Sequence, residues 1–193
     1  VEKLGFREEA MHLRYLFMLS PTWVFGVPGM LALAAGALIL VTAILRSLGL
    51  TGPIPFGESW IVIGALLLAV GHMAGLMAIA SHLFGVRAGY RVPRRWLSAA
   101  RHVLTLETCV IGGVAMMTMS VAASATIAVY WGAGSFAALP SILPVALAGV
   151  TGTIGLQTLF GGFLLAVIGG NEADFTRAVY TGAGTARTDQ ASA

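Results

Sequence analysis

Four apolar stretches, each long enough to cross a bilayer, constrain this sequence more than any other feature. They run roughly from Pro21 to Leu45, Trp60 to Phe84, Leu106 to Trp131 and Leu139 to Gly169. A helix needs about 20 apolar residues to span the ~30 Å hydrocarbon layer. Within that layer only a helix or a closed barrel satisfies every backbone polar group internally, and continuous runs without two-residue alternation specify helices. Charged residues make up 10% of the 193-residue chain, too few to clothe a soluble domain of this size. The chain is therefore expected to be all-α and integral to the membrane.

The breaks between the runs carry turn chemistry. "LGLTGPIPFGES" (48–59) has two prolines and two glycines after Gly49, so one helix ends near Gly49 and the next begins near Glu58 or Ser59. "GAGSFAALPS" (132–141) is a second short turn. Ten of the 11 Lys and Arg residues lie before the first span, between the second and third, or after the fourth; the exception is Arg46. By the positive-inside rule, this places both termini and the middle connection in the cytoplasm. Trp23, Trp60, Trp96 and Trp131 fall near span ends, where amphipathic rings suit the headgroup layer.

Residues 1–20 read as an amphipathic helix lying in the membrane interface. At 100° per residue Lys3, Arg7 and Arg14 share a stripe beside an apolar face of Leu4, Met11, Tyr15 and Met18, while Phe6, Leu13 and Phe17 form a second apolar group. His12 lies off the basic stripe. Ser20 caps and Pro21 opens the first turn of the first span, so His12, Ser20, Pro21 and Trp23 mark where the chain turns into the bilayer. Pro28 is expected to kink that span, with Gly26 and Gly29 allowing close contact. The expected organisation is an N-terminal interfacial helix (1–20), a four-helix transmembrane bundle (21–170) with both ends inside, and a mostly disordered cytoplasmic tail (171–193) with few apolar groups to order it.

The candidate chemistry is that of phosphate at headgroup depth. Arg14 is the first choice, because a guanidinium can make paired hydrogen bonds to a phosphate. "GVRAGYRVPRRW" adds Arg87, Arg91, Arg94 and Arg95, each basic group near an anionic surface contributing about 1 kcal/mol of attraction. Gly71 and Gly75 on the second span, and Gly149, Gly152 and Gly155 on the fourth, are read as helix-packing positions within the chain or between copies of it. Cys109 is expected to be a buried, inert thiol. Glu107 is expected to pair with Arg101 or His102 at the membrane edge. His72 has no histidine partner at its depth and reads as hydrogen-bonded to a neighbouring helix. His82 and His102 are level enough to ligate a haem in an alternative electron-transfer reading. No catalytic centre and no metal-ligand pattern is recognisable.

The run "FREEAMHLRYLFMLSPTWVFGVPGMLAL" resembles the junction and first membrane helix of family 2 glycosyltransferases of the polyprenyl-phosphate (dolichol-phosphate) sugar synthase type. "SHLFGVRAGY", "LTLETCVIGG" and "GLQTLFGGFLLAVIG" are similar to later parts of the same membrane region. The resemblance implies a C-terminal membrane domain. A catalytic domain upstream would use Mg or Mn to transfer a hexose from a nucleotide sugar to a polyprenyl phosphate at the cytoplasmic face. In that setting Arg14 would contact the lipid phosphate, the loop arginines would gather the anionic lipid, and this chain itself would hold no cofactor. A different class of reading is a stand-alone membrane scaffold that anchors a larger complex or a homo-oligomer. Nucleic acid is not an expected partner.

Overall fold

The computed structural model describes residues 22–50, 57–89 and 105–169. The interfacial helix, His12, Arg14, Ser20, Pro21, the loop residues Arg91, Arg94, Arg95, Arg101 and His102, and the tail lie outside the described residues. The described residues form helices and short connections, with the helices in the order α1 (Val27–Ser47), α2 (Glu58–Arg87), α3 (Leu106–Ala133) and α4 (Leu143–Gly169). A π-helical turn, Thr22–Gly26, leads into α1. All four are long and apolar enough to cross a membrane.

The charges mark where each helix leaves the apolar layer. α2 starts on Glu58 and ends on Arg87, with no other charged residue between them. Its 30 residues extend about 45 Å at ~1.5 Å each, more than the hydrocarbon thickness, so both charges reach the headgroup region. α4 carries no charge at all, α1 only Arg46 in its last turn, and α3 only Glu107 in its first.

The helices pack as two antiparallel hairpins, α1 with α2 and α3 with α4, joined by contact between α2 and α4. α1 and α3 therefore flank a central α2/α4 pair, and α3 is the least buried of the four. Two cores hold the row together. One, at the Arg87 end, gathers Ala80, Leu83 and Val86 of α2, Cys109 of α3, and Leu165 and Ala166 of α4. The other, at the Arg46 end, joins Leu40 of α1, Ile61 of α2, and Leu143 and Val150 of α4.

The irregularity of the first span is the π-helical turn Thr22–Gly26, and Pro28 follows it in the first turn of α1. One boundary differs from the sequence reading. The fourth helix begins at Leu143 rather than Leu139. Residues 137–142 stay non-helical around Pro140, and the Ser141 hydroxyl accepts the Leu143 N–H at 3.2 Å. The α3–α4 turn bends through Ser135 and Phe136, both at positive φ (54° and 60°), although two glycines lie just before them. Local bonds fasten this left-handed turn: Phe136 N–H donates to the Trp131 carbonyl at 3.0 Å, Trp131 Nε1–H to the Ala137 carbonyl at 2.8 Å, and the two rings meet edge to face at 5.2 Å.

Candidate functional site

Helices in lipid gain nothing by moving apolar surface from lipid onto each other, so close packing and interhelical hydrogen bonds must hold them together. The glycines supply the first. A methyl group at Gly71 would come within 2.6 Å of the Leu33 amide nitrogen and 2.7 Å of the Gly29 carbonyl oxygen. At Gly36 it would lie 2.6 Å from the Gly64 carbonyl oxygen. The α1–α2 seam is thus Gly29 and Gly36 against Gly64 and Gly71, each pair seven residues apart. In the α3–α4 seam Gly113 and Gly155 face each other, a methyl at either coming within 2.9 Å of the other's carbonyl oxygen. Gly152 makes room for Ser120, whose hydroxyl donates to the Ala148 carbonyl at 2.7 Å. Gly162 accommodates Cys109, which is buried, and Gly161 accommodates Leu76 of α2. Gly75 and Gly149, grouped with these from the sequence, have open space where a methyl would go, because they lie off the faces that meet. The seven-residue spacing, two helical turns, is the signal that would have found Gly36, Gly64 and Gly162.

The hydrogen bonds sit where water is absent. His72 stands midway along α2, and its Nδ1 is 2.9 Å from Gln157 Oε1 at the middle of α4. Since the amide oxygen only accepts, Nδ1 carries the proton in this arrangement. Thr158 Oγ1 lies 3.4 Å from His72 Nε2 and donates its own proton to the Ile154 carbonyl at 2.7 Å. The cluster joins the two central helices, the neighbouring-helix bond expected of His72.

At the Arg87 end, α2 and α4 are tied again: an Arg87 N–H donates to the Ile168 carbonyl. A guanidinium there meets the C-terminal carbonyls of α4, where a cation is favoured. Arg87 remains exposed. This is also the end at which the chain enters the connection holding Arg91, Arg94 and Arg95. Replacing Arg87 by glutamine is expected to speed amide exchange in the last turn of α4 a few-fold, because one such exposed bond contributes under about 1 kcal/mol. Exchange in α1 should not change.

α3 opens at the same end. Thr105 caps it, its hydroxyl accepting the Thr108 N–H at 3.2 Å, and Glu107 lies exposed in the first turn, where the helix dipole favours a negative charge. His82 is buried beside Leu83 and Val86, with a relative exposure of 4%. The histidine once paired with it, His102, lies outside the described residues, as do the partners considered for Glu107. Among the described residues no group of three His, Cys, Asp or Glu side chains could hold a metal ion. Trp23, Trp60 and Trp131 are all partly exposed near helix ends.

Four spanning-length helices with charges confined to their ends define an integral membrane protein. Residues 79–169 match the family model of the C-terminal transmembrane region of glycosyltransferase family 2. The matched residues take in the last turns of α2, the connection to α3, α3 and α4. The match takes in the three later resemblance motifs, the Arg87–Ile168 tie and Gln157. No curated protein and no solved structure matches the chain.

Proposed function

We propose that this chain anchors a glycosyltransferase in the membrane and presents polyprenyl phosphate to it. The enzyme transfers a sugar from a nucleotide sugar to that lipid at the cytoplasmic face. The observation that carries the reading is the family match over residues 79–169, joined to four helices with almost no interior charge. The acceptor chemistry fits such an anchor: a polyprenol needs an apolar layer for its chain, and its phosphate then sits at headgroup depth, the depth that Arg87 reaches at the end of α2. Ten of 11 Lys and Arg on one side of the spans support a cytoplasmic location for that face and for both termini. A catalytic domain, upstream or on a separate polypeptide, supplies the nucleotide-sugar site with its Mg or Mn.

In this reading Arg14 holds the lipid phosphate through paired hydrogen bonds, Arg87, Arg91, Arg94 and Arg95 concentrate the anionic lipid, and His12 to Trp23 seat the catalytic domain. In the protein that carries this chain, Arg14→Ala is expected to raise the apparent KM for polyprenyl phosphate about tenfold with little change in kcat, the effect of losing a charge-assisted bond. Arg14→Lys should recover part of it. Steady-state kinetics against polyprenyl phosphate check this, and an unchanged KM for Arg14→Ala would remove Arg14 from the site.

A further inference from the structure

At the end of the bundle opposite Arg87, three helices enclose a cleft of about 270 Å³ that the anchoring role does not use. Its floor is apolar, with Ile39 of α1, Ile61 of α2 and Leu143 of α4 all buried. Its rim carries Arg46, Glu58 and Trp60. Arg46 is the one basic residue of the chain that departs from the positive-inside pattern. Each charge has the sign its helix end favours, Arg46 in the last turn of α1 and Glu58 in the first turn of α2. That preference accounts for the signs, yet the two charges also line one cleft, and among the described residues no ion pair or hydrogen bond engages either charged side chain.

We propose that this cleft binds a zwitterionic phospho-amine headgroup, its phosphate on Arg46 and its primary ammonium on Glu58. The depth is right for a lipid. Glu58 begins a helix that is longer than the hydrocarbon layer is thick and carries no other charge before Arg87 at its far end, and Trp60 places an amphipathic ring beside it. At that depth lipid headgroups are the most concentrated solutes, and the apolar floor leads toward the acyl region. A purely anionic headgroup would satisfy Arg46 and confront Glu58 with a like charge. A quaternary amine would bring positive charge but no N–H to donate. Only a headgroup with both a phosphate and a protonated primary amine engages both groups through charge-assisted bonds. The site does not depend on which face of the membrane this end occupies.

The test is thermal unfolding of the full chain in detergent, titrated with short-chain phosphatidylethanolamine, phosphatidylglycerol or phosphatidylcholine, and separately with soluble phosphoethanolamine. Phosphatidylethanolamine should raise Tm with half-saturation at about a tenfold lower concentration than the other two lipids. Arg46→Gln and Glu58→Gln, both at exposed positions, should each abolish that preference while leaving the Tm without lipid unchanged, and Arg46→Lys should keep part of it. If soluble phosphoethanolamine half-saturates as low as the lipid, the same chemistry is met by a soluble ligand; if it is weaker, the lipid is the ligand. Equal response to phosphatidylglycerol and phosphatidylethanolamine, or a preference that survives Glu58→Gln, would overturn the proposal.

Discussion

Gly71→Ala and Gly155→Ala are each expected to destabilise the folded chain by about 2–3 kcal/mol, whereas Gly75→Ala should leave it unchanged or up to about 1 kcal/mol more stable. The added carbon at Gly71 meets backbone atoms of Leu33 and Gly29 at 2.6 and 2.7 Å, and at Gly155 it meets the Gly113 carbonyl oxygen at 2.9 Å. Backbone cannot swing aside as a side-chain terminus can, so the helices must separate along the whole seam. In lipid no hydrophobic driving force restores the lost contact. At Gly75 nothing lies within 4 Å, and alanine there brings only its better helix propensity. Unfolding midpoints in a detergent titration measure all three. A Gly71→Ala protein as stable as Gly75→Ala would mean that α1 and α2 do not cross where the structure has them.

His72→Leu and Gln157→Leu should each cost about 1–3 kcal/mol, the penalty for leaving a buried polar group unsatisfied. The double substitution should cost less than the two summed, with a coupling of roughly 0.6–1.7 kcal/mol, the range measured for interhelical bonds in membranes. The reason lies in the bilayer: a lone imidazole or amide at the middle of α2 or α4 has no water to turn to, and the 2.9 Å bond between them pairs the imidazole Nδ1–H with the amide oxygen. A double-mutant cycle on the same unfolding assay reads the coupling directly. Additive effects would show that the two side chains do not interact across the α2–α4 contact.

Which segments could cross the membrane was legible because charge is sparse and falls only at helix ends: Glu58 and Arg87 bracket α2, and Glu107 opens α3. Which face of each helix packs was not legible. A spanning helix is apolar all round, so no amphipathic phase separates the lipid side from the protein side. Gly71 and Gly75 look alike in sequence, yet one touches backbone and the other faces open space. For the same reason the order of the helices, with α2 and α4 central and α3 at the edge, could not be read from hydropathy.

Polar residues did better, because a lone histidine in an apolar run has few ways to be satisfied. His72 was expected to bond a neighbouring helix, and Gln157 provides that bond. The left-handed Ser135 and Phe136 were missed because residue identity argues against them; their stability comes from contacts with Trp131 formed only after the chain has turned. Of the arginines expected to gather anionic lipid, Arg87 is the one among the described residues, and its tie to Ile168 depends on α4 ending beside α2. No local pattern around residue 87 encodes that.

The central claim is that these helices anchor a glycosyltransferase. The most direct test is a transfer assay on the polypeptide or complex containing this chain, purified from its native membrane. It would be incubated with polyprenyl phosphate, Mg or Mn, and labelled nucleotide sugars. The account predicts label passing into a solvent-extractable lipid, dependent on both the polyprenyl phosphate and the metal. Intact, folded material that transfers no sugar from any nucleotide sugar to polyprenyl phosphate would contradict it.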